Sequence, residues 1–275
     1  MRGLLRLLDA KMSFAQNGWP ARGRIQMAQK ATNNSPLSEI PALSGAVALV
    51  TGGTRGIGRS IALRLAHLGA AVSICGRDKS ALSATAAELQ KSGQPVFSQI
   101  ADVCRSADIS SLVDKTQSKL GAISILVNNA GIGLFGPAHE KTEADWDRVL
   151  DTNLKSVFLV SCAVAPLMIH RGAGDIINIS SLAGRNAFAG GGIYCASKWG
   201  LQGLSACMAE DLREHGIRVS VICPGSVNTE FSTRASKDPS KVLSSEDVAH
   251  AVEMIVTQRP QSFLSEIHLR PLRKP

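Results

Sequence analysis

Hydrophobic and polar positions alternate regularly from residue 45 to the end of the chain. Short runs of β-branched and other apolar residues are separated by longer segments with apolar residues at helical spacing. The predicted strands are AVALV (46–50), AVSIC (71–75), PVFSQI (95–100), ISILVN (123–128), DIINIS (175–180), RVSVIC (218–223) and EIHLR (266–270). The helical patterns lie at about 57–68, 79–92, 106–120, 142–170, 193–215 and 245–258.

This alternation predicts an α/β domain with a parallel sheet and helices on both faces, because right-handed crossovers place each helix over the sheet. We expect one domain over residues 44–275. Residues 1–43 are predicted to be a disordered N-terminal extension, with a true start at Met12 or Met27 as alternatives. Ligands of such sheets bind beyond the carboxyl ends of the strands, so candidate chemistry is sought after each run.

Composition narrows the function classes. The chain is 44% hydrophobic and 19% charged, which is enough for a core, and no apolar run suggests a membrane span. Of the net charge of +8, about half lies in residues 1–44, where six basic residues oppose two acidic ones. Without a recognition motif, nucleic acid is not expected as a partner. Six scattered cysteines and six scattered histidines favour buried thiols in the cytoplasm and no metal site.

A glycine-rich loop follows the first predicted strand. In TGGTRGIGRSIA (51–62), Gly52, Gly56 and Gly58 stand between a strand and a helix. Glycines allow a tight turn and a close approach of the backbone to a pyrophosphate, whose charge the helix N-terminus meets. The alternative is an ordinary tight turn, but the position at the first strand–helix junction favours dinucleotide binding.

The end of the second strand bears on which dinucleotide binds. About 20 residues past the glycines, where NAD enzymes usually present a carboxylate, this chain has Gly76 and Arg77. Arg77 and Arg55 could clamp a 2′-phosphate, whereas Asp78 directly precedes a helix and is predicted to be its N-cap. We therefore expect NADP(H) as the preferred cofactor, with NAD(H) as the alternative.

Two further strand ends supply candidate cofactor contacts. Asp102 and Val103 follow the third strand, and NNAGIG (128–133) follows the fourth. The small residues of the second segment, Asn129, Ala130 and Gly131, could accommodate a flat adenine or a ribose. The alternative for both segments is a polar turn with a helix cap.

The chain's single tyrosine stands in a distinctive setting. Ser180 and Ser181 end the fifth strand, and Tyr194 and Lys198 lie at i and i+4 on the next predicted helix, so they share a face. A free phenol has a pKa of about 10, and a neighbouring ammonium would lower it. These residues predict a tyrosine tuned as general acid/base, although a half-buried tyrosine near a surface lysine is the commoner arrangement.

Together these motifs resemble the short-chain dehydrogenases/reductases over about residues 43–270. The matching segments, in the family's order and spacing, are TGGTRGIG, NNAG, the asparagine of LDTNLKSVF, NISSLAG, YCASK and CPG. The resemblance implies a single-domain Rossmann fold with a seven-stranded parallel sheet in the order 3-2-1-4-5-6-7. It also implies homodimers or homotetramers that pack through the helices at about 142–170 and 193–215.

The resemblance assigns roles by position. It implies that Ser181 and Tyr194 are catalytic, that Asn153 holds a water in a proton relay, and that Lys198 binds the nicotinamide ribose and tunes Tyr194. The implied cofactor-binding residues, with those found above, are Gly52, Thr54, Arg55, Gly56, Ile57, Gly58, Arg77, Asp102, Val103, Asn129, Ala130, Gly131, Tyr194, Lys198, Pro224, Gly225, Val227 and Thr229.

The expected activity is NADPH-dependent reduction of a carbonyl to a secondary alcohol. One candidate substrate is a 3-oxoacyl thioester on acyl carrier protein or coenzyme A, whose charge Arg234, Lys237 and Lys241 could meet. The C-terminal EIHLRPLRKP departs from such reductases and favours a small carbonyl, diketone or hydroxy acid. A non-catalytic NADPH-sensing regulator is the alternative from another class, which retention of all four catalytic positions disfavours.

Overall fold

Parallel strands and helices alternate along the chain in the computed structural model, which describes residues 42–231, 238 and 241–273. The predicted extension therefore lies almost wholly outside the described residues. The strands are β1 (Val47–Thr51), β2 (Ala71–Gly76), β3 (Val96–Ile100), β4 (Ile125–Asn128), β5 (Gly174–Ile179), β6 (Ile217–Pro224) and β7 (Glu266–Leu269). The helices are α1 (Gly56–His67), α2 (Lys79–Gln90), α3 (Ser106–Leu120), α4 (Glu143–Leu150), α5 (Ser156–Arg171), α6 (Gly192–Arg213) and α7 (Ser245–Val256).

The described strands form one seven-stranded parallel sheet in the order β3-β2-β1-β4-β5-β6-β7, which confirms the predicted fold class. Helices α1, α2 and α7 pack on one face through residues such as Leu65, Leu89 and Val252. Helices α3, α5 and α6 pack on the other, with Leu112 and Val160 in the second core. The chain reverses between β1 and β4, so the loops after these central strands open into one crevice.

The sequence predicted one continuous helix at 142–170, but in the structure this helix is interrupted. A π-helical turn, Asp151–Lys155, separates α4 from α5 and contains Asn153. Such wide turns occur frequently at functional sites, where they shift a side chain relative to the regular helix. Apolar periodicity does not reveal a single extra residue in a turn, so the sequence pattern continued through it.

The combined helix Glu143–Arg171 has 29 residues and a mean hydropathy of 1.6 in its most apolar window, enough by length and composition to cross a bilayer. This was not expected from the sequence. Val160, Val164 and Met168 of this helix are buried against the sheet, as in the core helix of a Rossmann domain.

Buried polar side chains join the two strands that carry the site. The Asn128 amide nitrogen donates to the Asn178 side-chain oxygen at 2.9 Å and to Ser161 at 3.1 Å. Asn178 in turn donates to Ser205 at 2.8 Å. Buried hydrogen bonds of this kind hold β4 and β5 in register with α5 and α6, because breaking one leaves a desolvated polar group.

Candidate active site

A cleft of about 720 Å³ opens at the carboxyl edge of the sheet. It brings together most of the predicted cofactor residues. Those lining it are Gly52, Thr54, Arg55, Gly56, Ile57, Gly58, Arg77, Asp102, Val103, Asn129, Ala130, Gly131, Tyr194, Lys198 and Thr229.

The glycine loop at one end of the cleft is closely packed. A Cβ atom at Gly58 would collide with the Gly52 carbonyl oxygen and the Asn129 amide nitrogen. The Asn129 side chain also donates to the carbonyls of Thr51 and Gly52 at 3.0 and 3.1 Å, while its backbone N–H donates to the Thr51 hydroxyl. The loop after β4 therefore holds the glycine loop in a concave form that only glycine permits, and this form suits a pyrophosphate.

Charged side chains of both signs lie at the rim of the cleft. Asp78 caps α2 as predicted, accepting from the backbone N–H groups of Ser80 and Ala81 at 3.0 and 3.1 Å. These bonds, that from Ala81 foremost, lower the pKa of Asp78. Arg55 lies 3.6 Å from Asp78 and 3.3 Å from Glu230. Arg77 is exposed at the cleft and forms no ion pair within the described part of the chain, so its guanidinium is available to an anion.

The segment after β3 was interpreted from the sequence either as a cofactor contact or as a polar turn, and the structure shows features of both. Asp102 and Val103 line the cleft. The Asp102 carboxylate accepts a hydrogen bond from the Cys104 N–H at 3.0 Å. The backbone N–H of Asp102 donates to the Asp108 carboxylate at 2.9 Å. The residue pair is thus a hydrogen-bonded turn ahead of α3 and also a wall of the cleft.

At the other end of the cleft, Tyr194 and Lys198 lie one turn apart on α6 and both are buried. The Lys198 ammonium donates to the Ile179 carbonyl at 2.9 Å and lies 5.9 Å from the centre of the Tyr194 ring. Ser181 follows β5, where its hydroxyl accepts from the Ala183 N–H at 3.1 Å. Because β5 ends beside the first turn of α6, the serine and the tyrosine meet.

The pKa of Tyr194 corrects one expectation. Burial raises it to about 12, and the hydrogen bond from Ser181 only partly opposes this effect. Burial also lowers the pKa of Lys198 to about 8. Desolvation of the phenolate therefore sets the direction of the shift, opposite to the lowering by the ammonium that the sequence suggested. A neutral phenol suits proton donation at neutral pH.

Asn153 is buried in the π-helical turn and its side chain is already engaged. Its amide nitrogen donates to the Ile132 carbonyl at 2.9 Å and to Ser197 at 3.0 Å, and its oxygen accepts from the Ile132 N–H at 2.8 Å. The side chain therefore positions the loop after β4 against α6. Both N–H groups of the Asn153 side-chain amide are already engaged. A water bound here would therefore donate to the side-chain oxygen or bind to the backbone.

Three predicted cofactor residues lie outside the cleft lining. Pro224 ends β6, the Gly225 N–H donates to Leu269 at 2.9 Å, and Val227 is buried in a bridge to Leu243. These positions support the loop that carries Thr229 to the cleft. Of the basic residues considered for a carrier, Arg234 and Lys237 lie outside the described residues.

Sequence reasoning missed the aromatic surroundings of Tyr194. Phe135 and Phe231 lie 5.4 and 5.9 Å from its ring, centre to centre. Both phenylalanines lie in loops that follow a strand. This position was the only feature of the sequence that could have indicated a place near the site. Residue type gave no signal, because isolated phenylalanines in loops have no characteristic spacing.

One group of potential metal ligands lies beside the site in the described residues. Ligand atoms of Cys223, Glu266 and His268 lie within 4.8 Å of one another. Both Glu266 oxygens accept from the Arg185 guanidinium, at 3.1 and 2.7 Å. A cation bound here would have to displace Arg185 from Glu266, which argues against a metal at this position. The absence of a metal site in the protein stays a prediction.

Comparisons with known proteins agree with this geometry. The family model described as short chain dehydrogenase matches residues 46–240. An uncharacterized oxidoreductase of Staphylococcus saprophyticus is 35% identical over 84% of this chain and 99% of its own. A 3-oxoacyl-[acyl-carrier-protein] reductase of Staphylococcus epidermidis is 37% identical over 70% of this chain and 79% of its own. A metagenomic short-chain oxidoreductase solved with NADP superposes with a TM-score of 0.75 at 41% identity, covering 85% of this chain and all of that one.

The fold, the cleft and these similarities define an NAD(P)-dependent oxidoreductase. The chain belongs to the short-chain dehydrogenase/reductase family.

Proposed function

We propose that this protein uses NADPH to reduce a carbonyl to a secondary alcohol. The hydrogen bond between Ser181 and the cleft residue Tyr194, with the Lys198 ammonium 5.9 Å from the tyrosine ring, carries the proposal. When bound, the reduced dinucleotide supplies a hydride to the carbonyl carbon.

The residues of the chain provide the rest of the chemistry. The hydroxyls of Ser181 and Tyr194 donate hydrogen bonds to the carbonyl oxygen and stabilise the negative charge that develops on it. Tyr194 gives its proton to that oxygen, since its raised pKa keeps the phenol protonated until an alkoxide forms. The buried Lys198 ammonium lies close enough to stabilise the resulting phenolate. Asn153 fixes the loop facing them and has one acceptor position left for a water of the relay.

The preference for NADPH rests on Arg77 and Arg55. Arg77 offers at the cleft a guanidinium that forms no ion pair with the residues the structure describes, and charge-assisted hydrogen bonds to a phosphate contribute about 1.5–3 kcal/mol each. The similarity to a structure solved with NADP supports this preference. NAD(H) remains the alternative because Asp78 stands next to Arg77.

Substrate, assembly and location are further parts of the proposal. The similarity to the staphylococcal reductase favours a 3-oxoacyl thioester on acyl carrier protein or coenzyme A, whereas the C-terminal sequence favours a free carbonyl. The exposed Phe158 of α5 and Trp199 of α6 fit a homodimer or homotetramer formed through these helices. We place the enzyme in the cytoplasm, acting on small molecules.

Loss of the phenolic hydroxyl tests the proposal. NADPH oxidation is measured with acetoacetyl-coenzyme A, small diketones and aldehydes for the intact protein, Tyr194→Phe and Ser181→Ala. Ser118→Ala removes a hydroxyl from the exposed side of α3 and serves as the matched control. We expect kcat to fall at least about 1,000-fold in Tyr194→Phe, with NADPH affinity within threefold.

Equal turnover by Tyr194→Phe and the intact protein would refute the catalytic assignment. Tight NADPH binding without turnover of any carbonyl would favour the NADPH-sensing regulator instead.

A further inference from the structure

Three phenylalanine rings extend from the candidate proton donor, Tyr194, in a series of ring contacts, and one of them, Phe231, lines the cleft with it. We call Phe135, Phe188, Phe231 and Tyr194 the aromatic wall. Ring centres are separated by 6.1 Å between Phe135 and Phe188, 5.4 Å between Phe135 and Tyr194, and 5.9 Å between Tyr194 and Phe231. Tyr194 therefore lies between Phe135 and Phe231 in a continuous series of ring contacts.

The three phenylalanines come from three separate loops at the carboxyl edge. Phe135 follows β4, Phe188 lies between β5 and α6, and Phe231 follows β6. Phe188 and Phe231 are 42% and 44% exposed, although residues of this size and polarity are ordinarily buried. Apolar surface left exposed on two of these loops, beside a reactive hydroxyl, is typical of a binding site.

Glycines in the same loops allow the rings to approach the backbone. A Cβ atom at Gly133 would lie 2.8 Å from atoms of both Phe135 and Phe231. A Cβ atom at Gly191 would lie 2.6 Å from the Phe188 ring. A side chain at either position would push these rings from their present places, so the two glycines leave room for the rings.

Ionic ligands of either sign meet opposing charges in this region, because Lys198 and the cleft residue Arg148 attract an anion and the ring faces attract a cation, while each sign is also repelled. The faces of the rings carry partial negative charge and repel an anion. A cation placed beside Tyr194 would face the buried Lys198 ammonium, 5.9 Å from that ring, in a low-dielectric surrounding. The carboxylate next to the wall in sequence, Glu230, is turned toward Arg55 at 3.3 Å. An uncharged apolar group meets neither penalty.

We infer that the aromatic wall selects uncharged carbonyl substrates with an aromatic or branched apolar group beside the reacting carbon. This inference rests on the proposed carbonyl reduction and names its substrate class. The wall buries that group while Ser181 and Tyr194 hold the oxygen, so discrimination arises from apolar contact made next to the reacting centre.

The experiment compares matched carbonyls with the intact protein and NADPH. 1-Phenyl-1,2-propanedione is set against 2,3-butanedione, which replaces the phenyl group by methyl. 3,3-Dimethylbutanal is set against betaine aldehyde, its cationic isostere, and acetoacetyl-coenzyme A represents the charged carriers. We expect kcat/KM for each uncharged apolar substrate to exceed that of its partner by about tenfold or more.

Variants test whether the wall is the cause. In Phe188→Ala and Phe231→Ala we expect the phenyl-to-methyl ratio of kcat/KM to fall about tenfold, with Phe→Leu variants retaining part of it. Met254→Ala truncates an equally exposed apolar side chain on α7 and should leave the ratio unchanged. Circular dichroism and NADPH affinity show whether each variant is folded.

Several outcomes would overturn the inference while carbonyl reduction stands. They are equal rates for both members of each pair, a preference for betaine aldehyde or the thioester, or an unchanged phenyl-to-methyl ratio in both Phe→Ala variants. NADPH binding without reduction of any carbonyl would instead refute the proposed function, and this inference with it.

Discussion

The two ends of the cleft are built in different ways. At the glycine loop, backbone atoms form the surface, and Gly58 is packed so closely against Gly52 and Asn129 that no side chain fits. Around Tyr194, side chains form the surface, and Phe188 and Phe231 remain partly exposed on loops. The first end is fixed by the main chain and suits one invariant ligand, whereas the second can be altered residue by residue. Single substitutions should therefore affect cofactor binding more at the first end, and turnover and substrate choice more at the second.

The largest effect on cofactor binding is expected from adding one methyl group to the glycine loop. In Gly58→Ala the new Cβ displaces Asn129 or the Gly52 carbonyl, which deforms the cradle. We expect NADPH affinity, measured by calorimetry, to fall about 100-fold and the melting temperature to fall as well.

Gly203→Ala is the matched control, because nothing lies within 4 Å of a Cβ at that position in α6. Alanine should stabilise this helix by about 0.5–1 kcal/mol. A Gly58→Ala protein that binds NADPH normally would contradict the view that the main chain fixes this end.

Loss of Arg77 should change which cofactor is used. Removing its guanidinium takes away contacts that only the 2′-phosphate would make, so the ratio of kcat/KM for NADPH over NADH should fall about 10- to 100-fold. Arg171→Ala, at the opposite edge of the sheet, is the control and should leave the ratio unchanged. An unchanged ratio in Arg77→Ala would show that the preference lies elsewhere.

The pH dependence should report on Lys198. Its pKa of about 8 means that the ammonium is lost as the pH rises through 8, so kcat/KM for reduction should fall about tenfold per pH unit above it. In Lys198→Arg, which stays charged, the residual activity should lack this decline.

Folding stability, in contrast to kcat/KM, should increase as the pH rises above 8. Unfolding returns Lys198 to its usual pKa of about 10.4, so between pH 8 and that value the unfolded state binds more protons. The contribution of this residue to the free energy of unfolding therefore rises with pH in that window. Chemical denaturation at several pH values measures it against Lys198→Met, which should lack this contribution.

The smallest expected effect concerns the ion pair between Arg55 and Glu230. Both side chains are largely exposed, and such pairs contribute about 0.2–1 kcal/mol. Glu230→Gln should release Arg55 for the cofactor and tighten NADPH binding about twofold. Glu210→Gln breaks a comparably exposed pair on α6 and should have no effect. Weaker binding in Glu230→Gln would mean that Glu230 itself supports the cofactor.

The same contrast explains what the sequence could predict. Strand and helix positions followed from apolar periodicity, and the glycine loop and the Asp78 cap followed from residue types that only certain backbone geometries require. The order of the sheet and the role of Ser181 were implied by family resemblance.

Features that depend on three-dimensional packing were not predicted. The π-helical turn at Asn153, the raised pKa of Tyr194 and the aromatic wall each arise from burial or from loops that meet only in the fold. The charge of Lys198 was visible in the sequence, but the desolvation that raises the pKa of Tyr194 was not.

The presence of only one tyrosine has a practical consequence for spectroscopy. Protein labelled with 13C at the phenolic carbon of tyrosine would give a single NMR resonance, which belongs to the candidate proton donor without any assignment experiment. The ionisation of that group can therefore be titrated directly in the unaltered protein, with and without NADPH or a substrate analogue.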